Sequence, residues 1–238
     1  MSTFKFLPLL GTAAFLSLST QAAFAEETTY DFAGFTRVTA AEGIEVTVIS
    51  GATDYRVTAQ AGGLTGTSPL KITQKGDRLT IERKQRWSLM MGIFDGQLKV
   101  TVELPQLAEL SAQAGVRAVL TGQVAPQVAL EVSSGSSLSA AGIEAEAIRL
   151  EATSGSELSI SGQCQRLEVS ASSGAEIDAY DLRCAEVRAS ASSGADVDLT
   201  ATQMLQAQVS SGGDVSVKGN PSDSDISHSF GGAVRIES

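Results

Sequence analysis

From about Ser111 to the C-terminus, apolar and polar positions alternate in short runs that are interrupted by a recurring glycine. Each copy consists of an alternating run, two small residues that are mostly hydroxylic, a glycine and a second alternating run, as in LEVSSGSSLSAAG and LEATSGSELSISG. The glycines are separated by 20, 20, 19, 20, 18 and 19 residues: Gly115, Gly135, Gly155, Gly174, Gly194, Gly212 and Gly231. A fixed period of this size predicts stacked units, none of which can bury its apolar face alone.

The alternation within each copy has a period of two, which predicts a β-strand on each side of the glycine. The odd positions counted from the glycine are small or apolar and are expected to face inward. The even positions are mostly polar and are expected to face outward, as in Arg149/Glu151, Glu168/Ser170 and Arg188/Ser190. A strand–helix–strand unit needs roughly 30 residues, more than one repeat supplies. The sequence therefore predicts an all-β fold, a right-handed parallel β-helix with coils of about 20 residues stacked about 4.8 Å apart.

Residues 26–106 lack the repeat but contain alternating runs, which predict N-terminal strands and a hairpin that stack as less regular first rungs. The hairpin is expected over residues 70–82, because Gly76-Asp77 separates two alternating runs. Leu98 to Leu104 predicts a further strand that ends at Pro105. Regular coils are expected over 107–238, and we interpret 26–238 as one continuous domain.

The first 25 residues have the features of a secretory signal peptide. Lys5 gives a positive start, an apolar run follows, and Ala23-Phe24-Ala25 forms an A-x-A cleavage site. The alternative, a membrane anchor, is disfavoured because the apolar run is shorter than the ~20 residues that a membrane span needs. We therefore expect export to the periplasm, the cell surface or the exterior of a bacterium.

The chain has 27 acidic and 17 basic residues, which gives a formal net charge of −10. A surface with this acidic balance disfavours nucleic acids and anionic membranes as partners. Membrane insertion is not expected, whereas an unidentified protein or polysaccharide of the cell envelope, or oligomerisation, is compatible with this charge.

The two cysteines occupy equivalent positions in neighbouring repeats, because Cys164 and Cys184 each lie ten residues before a repeat glycine. Stacked coils would place their Cα atoms about one strand spacing apart, within the disulfide range of roughly 4.4–6.8 Å. An exported protein meets an oxidising compartment, so we predict a Cys164–Cys184 disulfide. The alternative is a pair of unpaired thiols in the same stack.

An acidic ladder is predicted on the strands that follow the glycines: Glu157, Glu176, Asp196 and Asp214 at position +2, with Asp178 and Asp198 at position +4. Like charges about 4.8 Å apart repel, unless solvent, a raised pKa or a cation relieves them. Calcium prefers several oxygen ligands. One hypothesis is therefore that Ca²⁺ binds Glu176, Asp178, Asp196 and Asp198, and the alternative is a solvated acidic face without a cofactor.

Residues 85–97 break the alternating pattern and hold a cluster of large apolar side chains that includes Trp87, Met90, Met91 and Phe94. One interpretation is a cap over the end of the β-helix, where apolar core would otherwise meet water. The other is an exposed patch that docks a partner or meets a lipid surface.

An enzymatic alternative follows from the ladder, since carboxylates about 5 Å apart would suit a retaining glycosidase. Every pair of neighbouring parallel strands gives this spacing, so the match has little weight. Tyr180 is the only aromatic residue within 130–200, which leaves the ladder without an aromatic sugar platform. We therefore do not predict an enzyme and name no catalytic residues.

Three features resemble the head GIN domain, a domain of unknown function described as an autotransporter adhesin head. They are the run Gly43-Ile44-Glu45, the segment Leu104-Pro105-Gln106-Leu107 and the serial Ser-Gly repeats. The resemblance covers about residues 32–238, and Glu45 stands where the domain's name implies Asn. It implies a secreted bacterial β-helix and brings no catalytic residues.

The expected function is that of a secreted, non-catalytic interaction protein that is adhesin-like or binds an envelope polymer or glycan. The first alternative is a periplasmic structural or assembly partner that docks through the Trp87–Phe94 patch. A polysaccharide-degrading β-helix enzyme is the less favoured second alternative.

Overall fold

The computed structural model describes residues 26–63, 67, 69–84 and 95–237. In these residues the chain forms β-strands and no helix, and all the strands belong to one continuous sheet. The described part of the chain therefore contains no helix that is long and apolar enough to cross a membrane. The predicted all-β solenoid is confirmed, with about seven turns, coils of about 20 residues and parallel stacking.

The strands of the first part of the chain are β1 (Glu26–Tyr30), β2 (Arg37–Ala41), β3 (Glu45–Ser50), β4 (Arg56–Gly63), β5 (Leu70–Lys75), β6 (Arg78–Arg83) and β7 (Asp95–Leu104). The strands of the repeats are β8 (Leu107–Gln113), β9 (Arg117–Gly122), β10 (Val124–Ser133), β11 (Ser137–Thr153), β12 (Glu157–Ser172), β13 (Glu176–Ser192), β14 (Asp196–Ser210), β15 (Asp214–Lys218), β16 (Asp223–His228) and β17 (Ala233–Glu237).

The coils have two long walls. Wall A is formed by the strands that precede each glycine corner: β5, β6, β2, β8, β10, the C-terminal halves of β11 to β14, and β16, in stacking order. Wall B is formed by the strands that follow the corner: β1, β4, β7, β3, β9, the N-terminal parts of β11 to β14, β15 and β17. Inward side chains of both walls form one apolar core, in which the predicted inward positions are buried.

Each corner is a two-residue turn that reverses the chain between wall A and wall B. At Ser193-Gly194 both residues have a left-handed φ, 54° and 72°, as in the type I′ turns of hairpins. The amide of Ala195 donates to the Ser192 carbonyl at 3.2 Å and closes the turn. The amide of Gly194 donates at 3.2 Å to the carbonyl of Ser211 in the next coil, so backbone hydrogen bonds also stack the corners.

A short third side joins wall B of one coil to wall A of the next. The repeat pattern implies a turn there, but β11 to β14 instead continue across it as strands of 15 to 17 residues. The backbone bends at irregularities in the pairing, such as the one between Ala140 and Ile143. Pairing then resumes in register, because Glu144 aligns with Gln163 and Gln163 aligns with Arg183.

The N-terminal strands do not stack in chain order. β2 and β3 pair in parallel with β8 and β9 and thereby form the rung that adjoins the regular coils. The later strands β4 to β7 lie beyond that rung, where β5 and β6 form the predicted hairpin and β4 pairs antiparallel with both β1 and β7. The described strands thus share one sheet, and a single domain over 26–238 remains our interpretation.

Candidate binding site

The acidic ladder of wall B is in register from coil to coil. Glu157 aligns with Glu176, Glu176 with Asp196, and Asp196 with Asp214. Asp178 and Asp198 also align with each other, one column further along the strands. At the C-terminal end, Arg235 Nη2 lies 3.8 Å from Asp214 Oδ1.

Asp196 stands between other carboxylates of this ladder. Burial raises the pKa of the Asp196 carboxyl, and the neighbouring carboxylates of Asp198 and Asp214 raise it further. Within the described residues, no group of three or more acidic, histidine or cysteine side chains is arranged to hold a metal ion. Calcium binding by Glu176, Asp178, Asp196 and Asp198 therefore stays a prediction from the sequence.

A pair that the sequence analysis missed borders the ladder. The ammonium group of Lys218 lies 3.6 Å from the centroid of the Tyr180 ring, which is a cation–π contact. The Tyr180 amide donates to Asp178 Oδ1 at 3.2 Å. Burial is the largest cause that raises the pKa of the Tyr180 hydroxyl. The lone ring at Tyr180 was the available signal, but the bend of the third side had to be known before Lys218 could be placed beside it.

The two cysteines form a disulfide on the third side. Cys164 and Cys184 align in neighbouring coils with their Cα atoms 4.6 Å apart, and the structure joins them. Cys184 is buried and Cys164 is half-buried. The disulfide thus links two rungs that the sheet already pairs.

Wall A carries a column of alternating charge. Ala129 aligns with Arg149, Arg149 with Glu168, and Glu168 with Arg188. A further cation, Arg166, lies two positions before Glu168 on the same side of its strand, and it is exposed. Arginines therefore extend outward from three consecutive coils.

These arginines line a groove that crosses the coils. The groove has a volume of about 650 Å³ and its lining includes Arg37, Glu109, Arg149, Arg166 and Arg188. A second depression of about 270 Å³ shares Arg149, Glu168 and Arg188 with the first and extends as far as Gln208. Together they form one track along wall A, which we call the arginine track.

Small side chains make the track concave. Ala129 and Ala147 stand at outward positions that hold long side chains in neighbouring coils, so the surface is lower there. Val128, Ile148 and Leu167 border the groove, but their side chains point into the core and are almost fully buried. The low part of the groove is therefore formed by the partly exposed Ala129 and Ala147, and the rim is charged.

The polar groups of the track are held by neighbouring side chains. At its N-terminal end, Glu109 Oε1 lies 2.7 Å from Arg78 Nη1, and Glu109 Oε2 lies 3.7 Å from Arg37 Nε. Further along, Arg188 Nε donates to Gln206 Oε1 at 3.2 Å. Arg149 Nη2 lies 3.6 Å from Glu151 Oε2, which is a loose ion pair.

A half-buried acid, Glu131, lies beside the track. Burial is the largest cause that raises the pKa of Glu131, and the carboxylates of Glu109 and Glu151 raise it further. The positive charges of Arg78 and Arg149 lower the pKa of Glu131 and partly offset this rise. The sequence marked the wall A positions as polar, but it gave no sign of the concave track, because the depression depends on alanines in two different coils.

The cluster of Trp87, Met90, Met91 and Phe94 lies outside the described residues. Its segment connects β6 with β7, which belong to the N-terminal part of the stack. Docking through this patch therefore stays a prediction.

The stacked coils and their charged columns define a β-solenoid that carries its outward side chains in register along two walls. The chain belongs to the family described as "Putative auto-transporter adhesin, head GIN domain", which matches residues 34–221. The resemblance inferred from the sequence is thereby confirmed.

Several solved structures share this fold. A putative adhesin from Bacteroides fragilis superposes with a TM-score of 0.79 at 16% identity, covering 91% of this chain and 98% of that one. A putative lipid binding protein from Parabacteroides distasonis superposes with a TM-score of 0.69 at 13% identity, covering 91% of this chain and 98% of that one. A putative adhesin from the same species superposes with a TM-score of 0.67 at 16% identity, covering 90% of this chain and 97% of that one. A comparison with curated proteins found no significant match.

Proposed function

We propose that this protein is an adhesin-like binding protein that holds an extended polysaccharide along the arginine track of wall A. The track itself is the observation that carries the proposal, because it crosses several coils and displays cations on three of them. The family description, an auto-transporter adhesin head, supports a role in binding.

The constant spacing of the coils favours a polymer over a small molecule. Rungs of a parallel sheet repeat about every 4.8 Å, so a chain of similar units meets similar groups at each step. The small side chains of Ala129 and Ala147 leave room for the C–H faces of sugar rings, and the charged rim suits their polar substituents. A globular ligand would contact only a small part of such a track.

The chemistry of the track favours binding rather than catalysis. Guanidinium groups stay protonated and act as hydrogen-bond donors, so Arg149 and Arg188 are suited to hold oxygen atoms and not to transfer protons. Glu109, the acid at the N-terminal end, is committed to ion pairs with Arg37 and Arg78.

Export to the periplasm or the cell surface is part of this proposal. The family description supports that location. A disulfide between Cys164 and Cys184 also suits an oxidising compartment. Removal of residues 1–25 as a signal peptide would be seen as an N-terminal sequence that starts at Glu26 in exported material, whereas retention of Met1 would contradict it.

The binding proposal is tested by titrating residues 26–238 with linear polysaccharide fragments of increasing length, both neutral and acidic. We expect affinity to rise with length until the fragment spans the coils of the track, and monosaccharides to bind weakly. If no fragment binds, or if a monosaccharide binds as tightly as a long fragment, the proposal is wrong.

A further inference from the structure

We infer that the arginine track selects an acidic polysaccharide in which a carboxylate recurs on every second sugar. The inference rests on the proposed function and adds the chemical class of the ligand. It comes from the order of charges along the column Arg149–Glu168–Arg188, which occupies three consecutive coils.

The two arginines of this column are two coils apart. Since neighbouring rungs are about 4.8 Å apart, their backbones are separated by roughly 9–10 Å along the stack. An extended chain of β-linked sugars advances by a similar length for every two rings. A carboxylate on alternate sugars would therefore meet Arg149 and then Arg188.

Both guanidinium groups keep donors available for a carboxylate. Arg188 uses Nε for Gln206, which orients the group and leaves its two terminal nitrogens for a bidentate contact. Arg149 makes one ion pair found in the described residues, the loose 3.6 Å pair with Glu151, and more than half of its side chain is exposed (56%). Arg166 takes part in none of the ion pairs or hydrogen bonds found in the described residues, and it adds positive charge on the coil between them.

Glu168 supplies the discrimination between polymers. Its exposed carboxylate lies between the two arginines and no ion pair found in the described residues neutralises it. It can accept hydrogen bonds from the hydroxyl or amide groups of a neutral sugar. A carboxylate on that same sugar would instead face a like charge, which disfavours polymers that carry an acid on every unit.

The net negative charge of the protein is compatible with an acidic ligand at this place. The acidic ladder belongs to wall B, and the apolar core separates that wall from the track. Charges further apart than the Debye length, about 8 Å at physiological ionic strength, are largely screened. Within the first groove, four arginines stand against two glutamates.

The test is a calorimetric titration of residues 26–238 with three sets of oligosaccharides of equal length. Hyaluronan fragments alternate glucuronate with a neutral sugar, polygalacturonate fragments carry an acid on every sugar, and chitin fragments are neutral. We expect hyaluronan fragments to bind tightest, and their affinity to fall as salt is added. Chitin fragments binding as tightly would overturn the role of the carboxylate and leave the proposed function standing, whereas no binding by any set would contradict both.

Variants assign the roles of the residues. Arg149→Gln and Arg188→Gln should each weaken the binding of hyaluronan fragments about tenfold or more, because each loses charge-assisted hydrogen bonds. Arg188→Lys should weaken it less, since the charge stays and only the bidentate geometry is lost. Arg183→Gln is the matched control, because Arg183 lies on the same strand as Arg188 but outside the track. Equal loss in Arg183→Gln and Arg188→Gln would contradict the proposed site.

Glu168→Gln tests the alternation directly. Removing the carboxylate should raise the affinity for polygalacturonate fragments severalfold, while the affinity for hyaluronan fragments changes little. All these positions are exposed on the sheet surface, and an unchanged melting temperature would show that each variant is folded. If Glu168→Gln leaves the ratio of the two affinities unchanged, the inference of an alternating polymer is wrong.

Discussion

At the scale of single residues, two glycines with a positive φ show two separate reasons why a position needs glycine. One is a left-handed backbone conformation, and the other is a lack of space for a side chain. Gly174 is at a corner with a φ of 69°, and a Cβ built there meets nothing within 4 Å. Gly162 is on the third side with a φ of 138°, and a Cβ there would lie 2.0 Å from the carbonyl oxygen of Ile143 in the preceding coil. The first position needs a left-handed backbone, and the second also needs the absence of a side chain.

Gly174→Ala should therefore lower the free energy of unfolding by about 1–2 kcal/mol, the usual cost of a left-handed non-glycine residue. Gly162→Ala should cost more than about 3 kcal/mol, because the coils would have to separate where the backbone is strained as well. Urea unfolding of both variants makes the comparison. An equal loss of unfolding free energy in the two variants would contradict the close approach of the coils at Gly162.

Glu131 gives a residue-scale prediction of pH dependence. Its folded-state pKa is raised above the usual 4.5, mainly by burial, so the folded protein holds this proton more tightly than the unfolded chain does. Stability is then lost as the pH rises from 4.5 through the raised pKa, and the loss is complete at higher pH. Glu131→Gln should accordingly raise the melting temperature at pH 7 and leave it unchanged near pH 3.

The control for Glu131→Gln is Asp181→Asn, which removes one negative charge from an exposed position on the third side. If Asp181→Asn raises the melting temperature at pH 7 as much as Glu131→Gln does, the rise comes from the change in net charge and not from the surroundings of Glu131.

At the scale of elements, the disulfide joins β12 to β13 between coils that the sheet already holds in register. Replacing both Cys164 and Cys184 by serine should lower the free energy of unfolding by about 3 kcal/mol, because the unfolded chain loses a closed loop. A reducing agent should destabilise the natural sequence by a similar amount and have no effect on the double variant. Equal stability of the oxidised protein and the double variant would contradict this role.

The acidic ladder of wall B is the second feature at this scale. In the presence of a chelator, Asp196→Asn should raise the melting temperature at pH 7, because burial and the charges of Asp198 and Asp214 disfavour the ionised carboxyl. Asp223→Asn, on wall A, is the matched control. A lower melting temperature for Asp196→Asn would show that the ladder is not a site of repulsion.

The same melting experiment decides the calcium prediction. If calcium bridges Glu176, Asp178, Asp196 and Asp198, adding it should raise the melting temperature, and Asp178→Asn with Asp198→Asn should abolish the rise. An unchanged curve would show that the ladder is a solvated face.

For the whole molecule, the repeat determined most of what could be predicted. The alternation around glycines such as Gly155 and Gly194 was sufficient for the coil length, the inward positions and the cysteine pair, because each follows from stacking in register. Chain order alone could not show that β2 and β3 adjoin the coils while β4 to β7 lie beyond them. Long-range pairing of irregular strands leaves no local signal.

The arginine track was beyond sequence reasoning for a related reason. Outward positions can be recognised one at a time, as Arg149, Glu168 and Arg188 were. The concave shape of the surface depends on side chains from several coils at once. It arises where Ala129 and Ala147 interrupt columns of long side chains. A surface of this kind requires the register of the whole stack.

The most direct test of binding along the arginine track is an NMR titration of isotope-labelled residues 26–238 with hyaluronan oligosaccharides. We expect amide shift changes along wall A, within residues 147–151, 166–170 and 186–190, and unchanged amides in the wall B strands at 176–179 and 196–199. Changes confined to wall B, or no changes at saturating oligosaccharide, would contradict binding along the arginine track.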